Sequence, residues 1–475
     1  MSVKPKLTLT IDQEKIIKGI CEDIEKPNAR IVLCGYAGTG KTVTTAALVS
    51  KLRQEKLRVV VATPTHKARA QVEKALIKQG AADFTCVTVH RLLGLKQVRN
   101  YKTGEESFEI DPTGKNMLKD GLYENRKHKL ESESWQEFLE RTKKEINVVI
   151  VDETSMLQQE LYEYLIKEAG QRPIIFVGDD RQLLPVKEDK VCAAFLECES
   201  KYQLTKVLRH DGAILNLATK TRQIPIGRAR FDSAIGGGSQ VFAHNNRSQW
   251  IDTLLGAMVS SDAMQFPDYC RVLAWTNKIV RELNDRIHIQ RYGENAPRYL
   301  AGMTCVSVDA IPDPYGKRPL FNSTVDLYIH EAETEMFKAP HDLATDELWS
   351  TWLLTVSGDG NCRPVQIRVL DREEEKRWQL KQKEFAEAAK ACDKFQDEKR
   401  KEWWCQYFKR KDQFGKLEPA SALTIHKSQG STFDNVFLHW SIDGFGSAPT
   451  LQQNQLAYVG ITRASQGLHV VADWG

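Results

Sequence analysis

The sequence predicts an α/β fold with two parallel-sheet domains. Three observations predict it: short runs of consecutive apolar residues, helical spacing between those runs, and a restart of the same pattern after a long interruption. Unbroken apolar runs mark strands buried on both faces, as in a parallel sheet covered by helices. With 475 residues the chain is also too long for one ordinary core.

The elements follow in order. Ile31-Val32-Leu33-Cys34 is a first apolar run, and Thr42 to Leu52 carries Val43, Ala46, Ala47 and Val49 at helical spacing. Val59 to Ala62, Val148 to Val151 and Ile174 to Val177 are further runs. Residues 95–146 break the pattern. Their turn-rich tetrads Tyr101-Lys102-Thr103-Gly104 and Asp111-Pro112-Thr113-Gly114 predict a hairpin near 95–111, and the charged stretch beyond predicts a helix near 115–145. A second α/β pattern begins at Arg271 to Ala274, stops from about 298 to 418, resumes at Ala422 to Ile425 and ends with Leu468 to Ala472. The interruption is strand-like at Ser323 to Ile329. From 372 to 416 it alternates charges around Trp378, Trp403, Trp404, Tyr407 and Phe408. That segment reads as a solvated helical arm, or as an accessory element touching nucleic acid or a partner through its aromatics. The expected domains are 1–213, with an insertion at about 95–146, and 214–475, with an insertion at about 298–418.

Composition narrows the class. Apolar residues make up 41% and charged residues 27%, an ordinary balance for a water-soluble chain. No run of 18 apolar residues suggests a membrane span, and MSVKPKLTLT lacks the apolar centre of a signal peptide, so the expected location is cytoplasmic with no membrane partner. Ten cysteines lie singly without zinc spacing, which predicts reduced thiols. The net charge of +4 is mildly basic and does not identify a partner by itself.

Chemistry enters at Gly35-Tyr36-Ala37-Gly38-Thr39-Gly40-Lys41-Thr42, which matches G-x-x-x-x-G-K-[ST] between an apolar run and a helix. Gly35, Gly38, Thr39 and Gly40 let backbone N–H groups wrap phosphates. Lys41 reaches the β and γ oxygens, and the Thr42 hydroxyl can ligate Mg2+. The Val148–Val151 run then delivers Asp152, a second magnesium ligand, and Glu153, which would orient and deprotonate water. ATP with Mg2+ is the expected cofactor pair. Such loops serve kinases, switches and motors alike, so the output needs further residues.

Those residues recur in a fixed order: Ala62-Thr63-Pro64-Thr65-His66-Lys67-Ala68, Thr88-Val89-His90-Arg91, Gly178-Asp179-Asp180-Arg181-Gln182, Leu204-Thr205-Lys206-Val207-Leu208-Arg209, Thr424-Ile425-His426-Lys427-Ser428-Gln429-Gly430 and Tyr458-Val459-Gly460-Ile461-Thr462-Arg463-Ala464. The series resembles the superfamily 1B helicases, with Dda-type and RecD-type enzymes as the nearest relatives, over about residues 7–470. The resemblance implies two RecA-like domains, the first with a β-hairpin insertion and the second with a β-rich, SH3-like and helical one. It implies that Gln13 reads adenine, that Gln182 senses the γ-phosphate, that Gly430 joins the nucleotide set, and that Arg209 and Arg463 reach ATP from the second domain. Pro64, Thr65, His66, Thr88 and His90 would line a nucleic-acid groove on one half, and Thr276, Asn277, Thr424, His426 and Lys427 on the other. Trp275 is either a stacking residue or a core aromatic that ends its strand.

The implied activity is 5′–3′ movement of a monomeric motor on single-stranded DNA, with unwinding at single–double-strand junctions. Replication or repair proteins would be partners. An RNA helicase of the same superfamily and a nucleotide-gated clamp without unwinding are the alternatives. Two departures stand out. Leu184 occupies a position where many relatives carry proline, and Phe321-Asn322-Ser323-Thr324 lacks an Asn-Gly turn. No functional residue is carried into 298–418.

Overall fold

The computed structural model describes residues 9–26, 28–81, 84–110, 116–120, 122–123, 143–144, 146–185, 188, 190–205, 212–223, 231–313, 319–338, 347–358, 363–393, 395–442 and 450–472. Two six-stranded sheets form its centre. The first has the order Ser200–Leu204, Arg30–Gly35, Ile174–Gly178, Val148–Val151, Val59–Thr63, Thr85–Thr88, and every pairing is parallel. Its apolar runs divide by parity. Val32, Val60, Ala62, Val149, Val151, Ile174 and Phe176 enter one core; Ile31, Leu33, Val59, Val61, Val148, Ile150, Ile175 and Val177 enter the other. Alternate side chains of a strand point to opposite faces, so both faces need cover. Helices Ile11–Asp23, Lys41–Gln54 and His66–Lys78 supply it on one side, and Gln159–Ala169 on the other.

The second sheet runs Ala234–Gly236, Ser239–His244, Ala464–Val471, Phe433–Leu438, Cys270–Ala274, Ala422–Thr424, parallel except for the first pair. Ala213 and Ile214 already pack in its core, together with Leu183 from the first lobe. This is the expected pair of RecA-like lobes.

The β-rich insertion is a five-stranded antiparallel sheet: Val365–Leu370, Leu348–Gly358, Asp326–Lys338, Thr304–Ser307, Leu417–Pro419. Two helices, Arg372–Ala391 and Asp397–Lys411, then form the arm. Three of its aromatics, Trp378, Trp404 and Phe408, are buried, Trp403 and Tyr407 are half-buried, and Phe395 is exposed.

The first-lobe insertion opens with the expected hairpin, Leu95–Arg99 against Glu106–Ile110. Of the helix expected near 115–145, Met117–Asp120 is helical, while Leu122–Tyr123 pairs antiparallel with Lys143–Lys144; residues 124–142, on which most of that expectation falls, lie outside the described residues. The hairpin tip is braced by the arm. Arg99 holds Asp412 through two N–H groups at 2.5 and 2.9 Å, Lys411 pairs with Glu106, and Tyr101 meets Phe408 edge-on at 5.6 Å. A forked guanidinium–carboxylate pair fixes orientation as well as distance.

Gly104 makes this contact testable. Its φ is +77°, and a Cβ there would lie 2.2 Å from the Trp404 ring. Gly104→Ala is therefore expected to lift the tip off the arm, at on the order of 1–2 kcal/mol for the left-handed backbone alone. Hydrogen exchange should speed up at 100–105 and 404–412 while the Arg30–Gly35 strand keeps its protection. Unchanged exchange at the tip would show that the arm does not hold the hairpin.

Candidate nucleotide cleft and nucleic-acid interface

The Gly35–Thr42 loop leaves the C-terminal end of the Arg30–Gly35 strand, inside the first sheet. Gly38 and Gly40 take φ of 81° and 84°, where a side chain would be strained. Gly40 precedes helix Lys41–Gln54 without any side-chain cap. The helix thus presents free N–H groups and the positive end of its dipole, an anion site by construction. Lys41 Nζ folds back onto the loop and donates to the carbonyls of Gly35 (2.6 Å) and Tyr36 (3.2 Å). Phosphate oxygens would be stronger acceptors for it than these neutral groups.

Asp152 and Glu153 end the Val148–Val151 strand, on the same edge of the parallel sheet. Asp152 is buried, and its carboxyl is pushed above the usual carboxylate range by burial and by the Glu153 carboxylate. The Glu153 N–H, 2.8 Å from Asp152 Oδ1, offsets part of this. A buried carboxylate under such pressure fits a hard divalent cation, and Thr42 adds a second oxygen donor. Glu153 itself has φ +55°, a strained value for a side-chain-bearing residue, as functional sites often show. Gln13 fits a base. It is buried at the start of helix Ile11–Asp23, its Oε1 accepts from Thr10 N–H (3.0 Å), and its Nε2 has no hydrogen-bond partner among the described residues.

The second lobe closes on this edge. Gln429 Nε2 donates to Gln182 Oε1 at 3.2 Å, both side chains buried. Lys67 Nζ donates to the Lys427 carbonyl at 2.6 Å. Gly430, with φ +84°, leaves room for Gln71: a Cβ there would sit 2.1 Å from Gln71 Oε1. At this glycine the structure shows an approach of the two lobes. Arg463 is held by its own lobe, donating to the Val459 and Ser431 carbonyls at 3.2 and 3.0 Å and to Thr462 Oγ1 at 3.1 Å. Arg209 lies outside the described residues. Residue-by-residue reading missed Tyr458, whose hydroxyl bonds the phosphate loop and Asp179. It also missed Arg222, whose guanidinium lies 3.5 Å over the Tyr36 ring. Tyr458 stood inside a quoted motif, but nothing in the sequence said it would cross to the other lobe.

The residues expected to line a groove share one design. Thr65, Thr88, Thr276 and Thr424 are each the N-cap of a helix, accepting from the N–H three residues on at 3.2, 3.2, 3.4 and 3.3 Å. Each follows the C-terminal end of a strand, and these strands are the last two of each sheet. Each hydroxyl keeps its proton free to donate beside the positive end of a helix dipole. His66, His90 and His426 sit in these turns, and burial lowers all three pKa values, so at pH 7 they are neutral hydrogen-bonding groups. Pro64 is buried, Asn277 is exposed, and His90 packs on Phe108 of the hairpin at 4.2 Å. Trp275 is half-buried against the second-lobe core. The Lys67–Lys427 bond brings the two pairs of turns together.

Comparison with known proteins agrees with this plan. A family described as an AAA domain matches residues 8–237, and a UvrD-like helicase C-terminal domain matches 419–471. The ATP-dependent DNA helicase dda of Enterobacteria phage T4 is 27% identical over 96% of this chain and 97% of its own length. The chain is an ATP-dependent DNA helicase that resembles superfamily 1B in its motifs. The RecD subunit of the RecBCD enzyme of Mycobacterium tuberculosis is a more partial relative of this helicase, 28% identical over 40% of the chain and 29% of its own length. Bacteroides Pif1 bound to single-stranded DNA aligns over 98% of this chain and 92% of its own, at 16% identity and a TM-score of 0.47.

The state of Asp152 gives a test of the cleft. With its native pKa above the ordinary 3.8, unfolding releases its proton first as pH rises, so native stability falls through that window and the penalty persists at neutral pH. Asp152→Asn should therefore melt higher than the parent at pH 7 without nucleotide or magnesium, with the gain vanishing as pH falls toward 3.8. The same variant should lose ATP turnover. A lower melting point at every pH would contradict the burial argument.

Proposed function

We propose that this helicase is an ATP-driven motor that binds single-stranded DNA, moves 5′ to 3′ and unwinds duplex at the junction. The observation that carries the reading is the alignment of four threonine-capped turns along the edges of two sheets, joined across the seam by Lys67 and Lys427. Hydroxyls, neutral imidazoles and helix N-termini suit phosphate contact without base reading, which a motor that passes every sequence requires. The full-length likeness to an ATP-dependent DNA helicase supports the choice of DNA.

The residues take the following roles. The 35–42 loop amides and Lys41 bind the phosphates of ATP, and Gln13 offers its free amide to adenine. Thr42 and Asp152 would hold Mg2+, which when bound supplies charge neutralisation at the β and γ oxygens. Glu153 orients the attacking water and takes its proton. Gln182, buried against Gln429, couples the phosphate side of the cleft to the 424–430 turn that carries Thr424, His426 and Lys427. Arg209 and Arg463 are the arginines that compensate transition-state charge. Arg463 must first exchange its bonds to Val459 and Ser431 for phosphate, so its delivery depends on lobe closure. The arm-braced hairpin, with Phe108 and Ile110 exposed, stands as the wedge. The motor is proposed to act as a monomer in the cytoplasm.

Matched duplexes with a 5′ or a 3′ single-stranded DNA tail test this reading in the presence of ATP and magnesium. Strand displacement is expected from the 5′-tailed duplex alone. Displacement from the 3′ tail alone would reverse the polarity. Displacement from neither, with DNA still stimulating hydrolysis, would leave a clamp or translocase.

A further inference from the structure

Tyr458 ends up in an unusual position for a residue of the second lobe. It sits near the end of helix Thr450–Ile461, five residues before Arg463, and is 2% exposed. Its hydroxyl oxygen accepts from the Ala37 N–H of the phosphate loop at 2.8 Å. Its proton goes to Asp179 Oδ2 at 2.7 Å. Asp179 is 1% exposed and organises the turn that ends in Gln182: its Oδ1 accepts from Arg181 N–H (3.1 Å), and its carbonyl accepts from Gln182 N–H (3.2 Å). One hydroxyl therefore joins the phosphate loop, the Gln182 turn and the helix that carries Arg463. Arg222 flanks the group, 5.7 Å from the Tyr458 ring and 3.5 Å from that of Tyr36.

We propose that Tyr458 is a positioning residue for ATP hydrolysis, its hydroxyl setting the register in which the second lobe closes on the phosphate loop and the Gln182 turn.

The argument is one of direction. Apolar contact across the seam, through Ala37 and Leu183, tolerates sliding because dispersion is not directional. A hydroxyl that accepts from one atom and donates to another does not. Sliding the helix by one residue, about 1.5 Å, misaligns or stretches the pair, because one oxygen cannot follow two fixed partners at once. The bond to Asp179 is also charge-assisted and dry, and losing it strands a buried carboxylate oxygen. Burial and the Asp179 charge raise the phenol well above its ordinary range, so it stays a donor at any working pH. Arg463, on the same short segment, inherits the register. Tyr458 itself acts through these groups.

The inference rests on the ATP-driven motor reading, and the experiment separates the two. Steady-state ATP hydrolysis with saturating single-stranded DNA is measured for the parent chain, Tyr458→Phe, Asp179→Asn and the double variant, with melting points in parallel. Phe keeps the ring and removes both bonds. Tyr458→Phe is expected to lose about 10²-fold in kcat, the scale of a 1 Å misplacement, with KM for ATP nearly unchanged. Asp179→Asn, whose amide oxygen can still accept, should fall between, and the double variant should be no worse than Tyr458→Phe. An unchanged kcat in Tyr458→Phe would overturn the inference and leave the motor standing. So would a shared fall in kcat, ATP affinity and melting point, which would mark a structural residue. A parent chain without DNA-stimulated turnover would overturn both.

Discussion

Everything functional in this molecule depends on how two separately packed parallel sheets meet. Each lobe has its own core, yet the seam is not a plain surface contact. Leu183 of the first lobe is buried in the core of the second, and Ala37 of the phosphate loop packs against it. Around that apolar point run directional bonds: Tyr458 to Ala37 and Asp179, Gln429 to Gln182, Lys67 to Lys427. Burial supplies adhesion, and the bonds supply register. The proposed nucleotide edge of the first sheet and the proposed nucleic-acid turns of both sheets lie along the same seam, which gives a physical route for coupling between them.

The same logic explains where strain and exposed charge are tolerated. Glu153 holds a left-handed backbone next to a buried Asp152 that would be more comfortable protonated. Both features cost native stability, and a divalent cation held by Asp152 would relieve the charge burial there. The groove turns are the reverse case. Their threonine caps contribute about 1 kcal/mol each to holding the turns and leave the hydroxyl protons for a ligand. Rigid turns that need no rearrangement to meet phosphate suit a motor that must rebind at every step.

Much of this was legible in the sequence, and the reason is chemical. The Gly35–Thr42 loop and the Asp152–Glu153 pair are local: contiguous residues on one strand end and one helix start, so the pattern and the geometry coincide. The buried runs announced both sheets because strands covered on two faces have no polar side to show. What escaped is non-local. Tyr458 read as part of a motif and acts in the opposite lobe, 421 residues from Ala37 in sequence. Trp404 and Phe408 read as exposed aromatics in a charged segment and are buried in the arm, where they meet the hairpin tip. The short ladder between Leu122–Tyr123 and Lys143–Lys144 was not legible either, because it joins residues about twenty positions apart.

The central claim is that hydrolysis is completed at the seam by a group from the second lobe. Arg463→Ala tests it most directly, with nucleotide affinity and DNA-stimulated turnover measured on the same protein. The account predicts that nucleotide still binds, because the loop, Lys41 and Gln13 all belong to the first lobe, while turnover falls by roughly 10³-fold or more. Turnover at the parent rate would mean that Arg463 does no more than tie the 431 and 459 segments together, and that the chemistry is finished within one lobe.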